Sequence, residues 1–183
     1  MVGDGDVGRS LADAVAQWGY VTELRIIKTR FTLTVLHRGS PLKSYRVALG
    51  QGGFGDKIRE GDRKTPEGEF FITEKLMLNN HHFLGSCWMR LSYPNIEHAE
   101  RGYRAGLISW PERERIIEAI RRWQTPPQNT ALGGGIGIHG GSGTSEGTQG
   151  DFWTHGCVAL TDADAMEVHK WVEVRRTKVA IVH

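Results

Sequence analysis

The stretch GIGIHGGSGTSEGTQGDFWTHGCVALT, residues 135–161, contains one cysteine, two histidines and eight glycines. The whole chain has only two cysteines, so a thiol in such a glycine-rich setting needs a physical reason. Glycine lets the backbone turn sharply and approach a ligand closely, and an imidazole near a thiol places a base near a nucleophile. The stretch therefore indicates a chemical site, and the rest of the chain must provide the fold that holds it.

Length and composition favour one domain of β architecture. The chain has 183 residues, enough for a single domain with a substantial core. Glycine accounts for 24 of them, nearly twice the usual share of about 7%, which favours many tight turns and few long helices. Lysine plus arginine number 23 against 21 for aspartate plus glutamate, so we expect no basic surface for nucleic acid or an anionic membrane.

The hydrophobic pattern predicts strands along most of the chain. From Leu24 apolar and polar residues alternate through Phe31, Leu33 and Val35, turn at residues 37–41 and continue to residue 50, which predicts a hairpin. Residues 51–72 are dense in turn formers and charges, and the part before the next strand is predicted to be an ordered surface loop. Further strands are predicted from Phe70 to Leu76, around Ile136 and Ile138, and over residues 178–182.

Three short helices complete the predicted fold. Residues 10–20 form an amphipathic segment capped by Ser10, and the other two begin at the capping boxes Ser109–Glu112 and Thr161–Asp164. In the second helix we expect a buried stripe of Ile116, Ile117, Ile120 and Trp123. The predicted fold class is mainly β, with mixed sheets in a sandwich-like or barrel-like arrangement and a few short helices. We expect an N-terminal helical extension over residues 1–22 and one domain over residues 23–183.

Neither cysteine usage nor hydropathy indicates a secreted disulfide scaffold or a membrane span. Cys87 and Cys157 form at most one bridge, and free thiols fit better. No run of 18 apolar residues is present, and the opening MVGDGDVGRS has neither a basic nor an apolar signal region. We therefore expect a soluble domain with no membrane-spanning segment and no export signal in the printed chain.

Cys157 and His139 are the candidate catalytic pair. A cysteine attacks as its thiolate, so it needs a base or a cation that lowers its pKa, and we expect His139, at the end of a strand, to do this. The carbonyl of Gly140 is a candidate acceptor for the other ring N–H. Acyl transfer also needs donors for the developing oxyanion, and the backbone amides of His155, Gly156 and Cys157 are candidates.

The residues around this pair suggest how it is covered. Residues 141–153 are predicted to form a flexible flap over a substrate. Phe152 and Trp153 are expected to wall the site against water.

The segments that carry this chemistry resemble those of one protein family. IHGG at residues 138–141, followed by THGCVALTD at residues 154–162, is similar to the signature of the YkuD-type L,D-transpeptidases, which remodel bacterial peptidoglycan. Residues 45–72, LSYPN at 91–95 and PPQNTALGGGIGIHG at 126–140 resemble further segments of that family. The resemblance covers roughly residues 24–174 and implies a mainly β catalytic domain that needs no metal or organic cofactor.

The resemblance also implies roles. Cys157 corresponds to the nucleophile, His139 to its base and Gly140 to the residue whose carbonyl steadies that base, while His155 and Gly156 belong to the oxyanion hole. Thr154 matches the Ser or Thr that opens the second motif, and together with Trp153 and Tyr93 it is expected to bind substrate. The implied reaction is attack on the L,D bond of a peptidoglycan tetrapeptide stem, release of D-Ala, and acyl transfer to a second stem or to an amine of a protein. Such a protein would act in the cell envelope or periplasm.

Two departures from the family pattern leave the acceptor open. Many members have Arg and Asn where this chain has Ala159 and Asp162, and some members with Ala at the first position hydrolyse stems. An L,D-carboxypeptidase or amidase using the same Cys157 and His139 is therefore an alternative. A peptidoglycan-binding module without activity is another.

Other readings of the same residues also stay open. His139, His155 and Cys157 are zinc ligand types, although their spacing does not favour a metal site. Asn95, with Tyr93, would line the donor site by resemblance, whereas its surroundings are equally consistent with a turn. Cys87 is expected to be packed without a chemical role.

Overall fold

The computed structural model describes residues 21–141 and 151–183. The predicted helix at residues 10–20 and most of the predicted flap lie outside the described residues. Val21 is fully buried in the core and donates its amide to the carbonyl of Trp171 at 2.7 Å, and Thr22 donates to Leu36 at 3.1 Å. Both residues therefore pack with the domain that we predicted to begin at residue 23.

Within the described residues the fold is a mixed β-sheet with three short helices, which confirms the predicted fold class. The strands are β1 (Glu23–Ile27), β2 (Thr32–His37), β3 (Ser40–Arg46), β4 (Leu49–Gly50), β5 (Gly68–His81), β6 (Gly85–Leu91), β7 (Gly137–His139), β8 (Phe152–Thr154), β9 (Val158–Ala159) and β10 (Lys178–Val182). The helices are α1 (Ile96–Arg104), α2 (Trp110–Arg121) and α3 (Asp162–Trp171).

Eight strands form one sheet in the order β3-β2-β1-β10-β5-β6-β7-β9, and β4 pairs with β8 separately. Most neighbours are antiparallel, but β1 with β10 and β7 with β9 are parallel. An isolated bridge joins Ala48, just beyond edge strand β3, to Ala159 in β9 at the opposite edge. The two ends of the strand order are thereby linked, so the sheet is strongly curved.

The predicted hairpin has a break that the alternation did not reveal. Lys28–Arg30 form a 3-10 turn between β1 and β2, and Phe31 follows in the left-handed region at φ 49°. Lys28 is fully buried, and its ammonium donates to the carbonyls of Gly55 and Thr65 and to Glu67 at 2.6, 2.8 and 3.0 Å. A buried ammonium needs such partners. All three lie in the loop that precedes β5, so Lys28 anchors that loop to the turn between β1 and β2.

The charged segment before β5 is an ordered loop, as predicted. The carboxylate of Asp62 holds it together. Asp62 accepts hydrogen bonds from the Lys57 ammonium at 2.7 Å and from the amides of Ile58, Arg59 and Lys64 at 2.7, 3.1 and 3.1 Å. These contacts and the burial of Lys57 fix the loop against the domain.

The helices agree with two predictions and correct two others. Ser109 and Glu112 form the predicted capping box of α2, and Thr161 caps α3 by accepting the Asp164 amide at 3.1 Å. Helix α1 was not predicted, and Asn95 is its N-cap, accepting the His98 amide at 3.0 Å. Trp123 is 44% exposed and lies beyond the end of α2. It is therefore not part of the buried stripe, because a residue past the helix end no longer follows the helical period.

Two hydrophobic clusters support the sheet. The larger lies between the sheet and α3, and the smaller joins α1 and α2 through Ala99, Ile108, Ile116, Ile117 and Leu132. None of the helices in the described part of the chain is long and apolar enough to cross a membrane.

Candidate active site

Parallel pairing of β7 with β9 brings the two candidate catalytic residues to one face of the sheet. Ile138 pairs with Val158, and His139 pairs with Ala159. Because side chains alternate along a strand, Cys157, two residues before Ala159, lies on the same face as His139. Gly137 lies between them, and a Cβ there would come within 2.5 Å of the Trp88 ring. The absence of a side chain at this position leaves the space that the Trp88 indole occupies.

His139 is fully buried at the end of β7 and is oriented by the backbone. Its Nδ1 lies 2.6 Å from the carbonyl oxygen of Gly140. Since a carbonyl only accepts, Nδ1 carries the proton and Nε2 has the free lone pair. Nε2 is buried and has no hydrogen-bond partner in the described residues. The ring is therefore held as a neutral base with its acceptor nitrogen unused.

Aromatic rings surround this imidazole. The ring centroids of Phe83, Trp88 and Trp153 lie 5.8, 6.1 and 5.8 Å from that of His139. Burial lowers the pKa of His139 to about 4, with the Gly140 carbonyl and Asp162 acting in the opposite direction. The imidazole is consequently neutral at about pH 7, as a general base must be.

Cys157 is buried apart from 7% of its surface, and its thiol donates to the carbonyl of Gly135 at 3.4 Å. Burial raises the pKa of the Cys157 thiol to about 11, and the Gly137 amide and the Arg90 charge only partly offset it. The expected lowering of this pKa by His139 stays a prediction, and the burial of the thiol acts against it. The sulfur is a thiol until a base removes its proton, because the Arg90 and Lys57 charges only partly offset the lost hydration.

The turn before Cys157 is held by Thr154. Thr154 is fully buried; its hydroxyl donates to the Cys157 carbonyl at 2.7 Å and accepts the Gly156 amide at 3.2 Å. Gly156 has φ 130°, a conformation that side chains rarely adopt. Thr154 thus positions the turn and does not reach a substrate, which corrects its predicted binding role. With the Gly156 amide already donated to Thr154, the oxyanion role of His155, Gly156 and Cys157 stays a prediction.

The remaining predicted binding residues lie in different environments. Trp153 is half-buried against His139, and its indole Nε1 has no hydrogen-bond partner among the described residues. His155 is exposed beside the cysteine. Tyr93 is fully buried, and its hydroxyl donates to the Leu132 carbonyl at 2.8 Å. The structure therefore does not bring Tyr93 to a substrate surface, and Asn95 serves as a helix cap.

A cleft of about 410 Å³ opens above Cys157. The hairpin of β5 and β6 supplies most of its apolar wall, and the chain before β7 supplies its floor. The lining residues are Leu76, Leu78, Phe83, Leu84, Trp88, Arg90, Gly134, Gly135, Ile136, His155 and Cys157. A second, more polar cleft of about 270 Å³ shares Gly134 and His155 with the first, so the site extends on both sides of these two residues.

In the sequence Asp162 stood out only because many family members have Asn at its position. In the structure its carboxylate contacts the segment that follows His139. Its Oδ1 accepts the Ser86 amide at 2.7 Å and the Gly141 amide at 3.3 Å. A Cβ on Gly140 would lie 2.2 Å from the same oxygen. The carboxylate therefore fixes the segment whose carbonyl orients His139, a role that follows from contacts between β6 and α3 and that no local motif signals.

Cys87 is packed in the core, which agrees with the sequence analysis. Cys87 is fully buried, and burial raises its pKa to about 11, so it has no site to act on. Among residues 21–141 and 151–183, no group of three or more histidine, cysteine or carboxylate side chains is placed to hold a metal.

Comparison with known proteins identifies the fold. The sequence model of the YkuD family, described as the L,D-transpeptidase catalytic domain, matches residues 22–181. No curated protein matches the chain by sequence.

Several solved structures share the fold. The helical cell shape determining protein Pgp2 from Campylobacter jejuni is 24% identical with a TM-score of 0.58, over 88% of this chain and 47% of its own. Bd1075 from Bdellovibrio bacteriovorus is 18% identical with a TM-score of 0.57, over 90% and 49%. The Enterococcus faecium L,D-transpeptidase C442S mutant is 15% identical with a TM-score of 0.52, over 88% and 50%. The chain thus spans about half the length of these proteins. Because the family model covers most of its residues, the chain belongs to the YkuD family of L,D-transpeptidase catalytic domains.

Proposed function

We propose that this protein is a peptidoglycan L,D-transpeptidase that works through an acyl-enzyme on Cys157. The observation that supports it best is the pairing of β7 with β9, by which Cys157 shares a face with a backbone-oriented imidazole whose Nε2 has no hydrogen-bond partner among the described residues, beside a substrate-sized cleft. The expected substrates are peptidoglycan stem peptides, and the site of action would be the cell envelope, where that polymer lies.

In the first step His139 Nε2 takes the proton from Cys157 Sγ while the sulfur attacks the carbonyl carbon of the L,D bond. The thiol need not be ionised beforehand, which suits its raised pKa. The C–N bond then breaks, the imidazolium returns the proton to the leaving amine, and D-Ala departs. A thioester joins the remaining tripeptide to Cys157.

In the second step an amine attacks the thioester. His139 accepts the amine's proton, the C–S bond breaks, and the proton returns to Cys157 Sγ. An amine of a second stem gives a crosslink, an amine of a protein gives an attached stem, and water gives a free tripeptide. Preorganised backbone donors near the carbonyl oxygen would stabilise the tetrahedral intermediates, and we propose the amides of His155 and Cys157 for this role, since the Gly156 amide donates to Thr154.

The test is incubation with a purified disaccharide tetrapeptide followed by mass spectrometry of the products. Release of D-Ala with formation of a crosslinked dimer supports the transpeptidase. Release of D-Ala with tripeptide alone would identify an L,D-carboxypeptidase, and binding without product would identify a binding module.

The chain offers a matched control for this assay, because both of its cysteines are buried. Cys157→Ala is expected to abolish product formation, whereas Cys87→Ala is expected to retain it. Equal loss in both variants would contradict the assignment of the nucleophile.

A further inference from the structure

Arg90 differs from the other residues of the Cys157 cleft. It is the one side chain with a permanent charge among the described residues that line the cleft. It lies on β6 opposite Gly137 of β7, while Trp88, two residues earlier, lies opposite His139. By the alternation of side chains, Arg90 and Trp88 share the face that holds His139 and Cys157.

The guanidinium is held in place from two sides. Its Nε donates to Glu74 at 2.8 Å and one terminal nitrogen donates to the Gln128 amide oxygen at 3.2 Å. Its carbon lies 5.4 Å from the Trp88 ring centroid. These two bonds use two of the five N–H groups of a guanidinium, so donors remain on its terminal nitrogens.

Gln128 connects this arginine to the cysteine. The same amide oxygen accepts the Gly135 amide at 2.8 Å, and the Gln128 NH₂ group donates to the carbonyls of Tyr93 and Pro126, both at 2.8 Å. Gly135 in turn accepts the Cys157 thiol. Arg90 and the nucleophile are therefore positioned by one hydrogen-bonded network, with a fixed relation between the charge and the reacting sulfur.

We propose that Arg90 determines substrate specificity by binding a carboxylate of the donor stem peptide next to the bond that Cys157 attacks. This inference rests on the proposed function. A cleft whose other walls are mostly apolar makes an unpaired carboxylate costly to bury, and a guanidinium with free terminal donors is the geometry that binds one. Ala159, on strand β9 at the other side of β7, is fully buried and contributes no charge to the site.

In a stem whose third residue is diaminopimelate, two such carboxylates flank the bond: the terminal one of D-Ala and the side-chain one of diaminopimelate. The experiment therefore uses three probes: the disaccharide tetrapeptide, the same compound ending in D-alaninamide, and the same compound with the diaminopimelate carboxyl amidated. Binding is measured by calorimetry in the Cys157→Ala background with Arg90 and with Arg90→Gln, so that no turnover is needed.

We expect Arg90→Gln to weaken binding of the unmodified stem roughly 10-fold to 100-fold, the usual value of a charge-assisted hydrogen bond. The loss should disappear with the amidated probe that lacks the carboxylate bound by Arg90, and that probe identifies which carboxylate it is. Equal losses with all three probes, or no loss with any, would overturn the proposal.

The Arg90→Lys variant and the activity assay distinguish a failure of the proposed function from a failure of the role proposed for Arg90. A lysine retains the positive charge but lacks the paired N–H donors of a guanidinium, so partial recovery of carboxylate-dependent binding is expected. If Arg90 only packed against its neighbours, the substitution would weaken binding of all three probes equally. Absence of D-Ala release by the wild type would refute the proposed function, while a probe-independent effect of Arg90→Gln refutes only the present inference.

Discussion

Alkylation of Cys157 is expected to follow the raised pKa of a buried thiol. With a pKa of about 11, roughly one thiol in ten thousand is ionised at about pH 7. An unperturbed thiol with a pKa of 9.0 would be ionised about a hundred times more often. The rate constant for iodoacetamide should therefore rise about tenfold for each pH unit through the neutral range.

The assay measures modification of the peptide containing Cys157 by mass spectrometry at a series of pH values, in the Cys87→Ala variant. Removing Cys87, which is also buried and has a raised pKa, leaves one thiol and one signal. A matched free-thiol peptide measured in parallel gives the profile of an unperturbed thiol, which levels off about two pH units below that expected for Cys157.

A rate that reaches a plateau below about pH 8 would refute this reasoning. Such a plateau would mean that Cys157 and His139 form an ion pair before the substrate arrives, as in enzymes whose thiol is ionised at rest. A continued rise would mean that Cys157 keeps its proton in the resting site, so that no ion pair with His139 forms before the substrate arrives.

The remaining predictions concern the supports of the site. Gly156→Ala should lower the free energy of unfolding by more than about 2 kcal/mol in urea denaturation, because Gly156 has φ 130° and an added Cβ would lie 2.9 Å from the Lys64 carbonyl oxygen. Gly106→Ala is the control, since an added Cβ there meets nothing within 4 Å. A loss for Gly156→Ala no greater than that for Gly106→Ala would contradict the prediction. Burial lowers the pKa of His139 from 6.5 to about 4, so its contribution to stability is present above about pH 6.5 and about 3 kcal/mol is lost as the pH falls toward about 4. In His139→Gln the free energy of unfolding should fall less steeply as the pH is lowered over this range. Equal slopes in the variant and the wild type would exclude the effect. Asp162 raises the pKa of His139, so Asp162→Asn should move the acid limb of kcat/KM to lower pH, and an unchanged limb would argue against electrostatic coupling.

The sequence was informative where a local pattern determines the structure. Ser109 with Glu112 predicted the start of α2, and the apolar run at residues 178–182 predicted the last strand. The expected contact between the Gly140 carbonyl and a ring nitrogen of His139 is also present, at 2.6 Å. These features depend on neighbours only a few residues apart, so one sequence suffices to find them.

Contacts between distant segments were not predictable in the same way. Asn95 was considered a turn or substrate residue, because the side chain that caps a helix also favours turns. The inward orientation of Thr154 and Tyr93 depends on packing against residues that only the fold brings close. Arg90 gave no signal in the sequence, since its relation to Cys157 arises from the pairing of β6 with β7.

The most direct test of the account is to trap the acyl-enzyme. Wild-type protein is mixed briefly with the disaccharide tetrapeptide, quenched in acid, digested and analysed by mass spectrometry. We predict that the tripeptide acyl group is attached to Cys157 and that His139→Ala sharply slows its appearance. Acylation of a different residue, or D-Ala release at an undiminished rate from Cys157→Ala, would contradict the claim that this sulfur is the nucleophile.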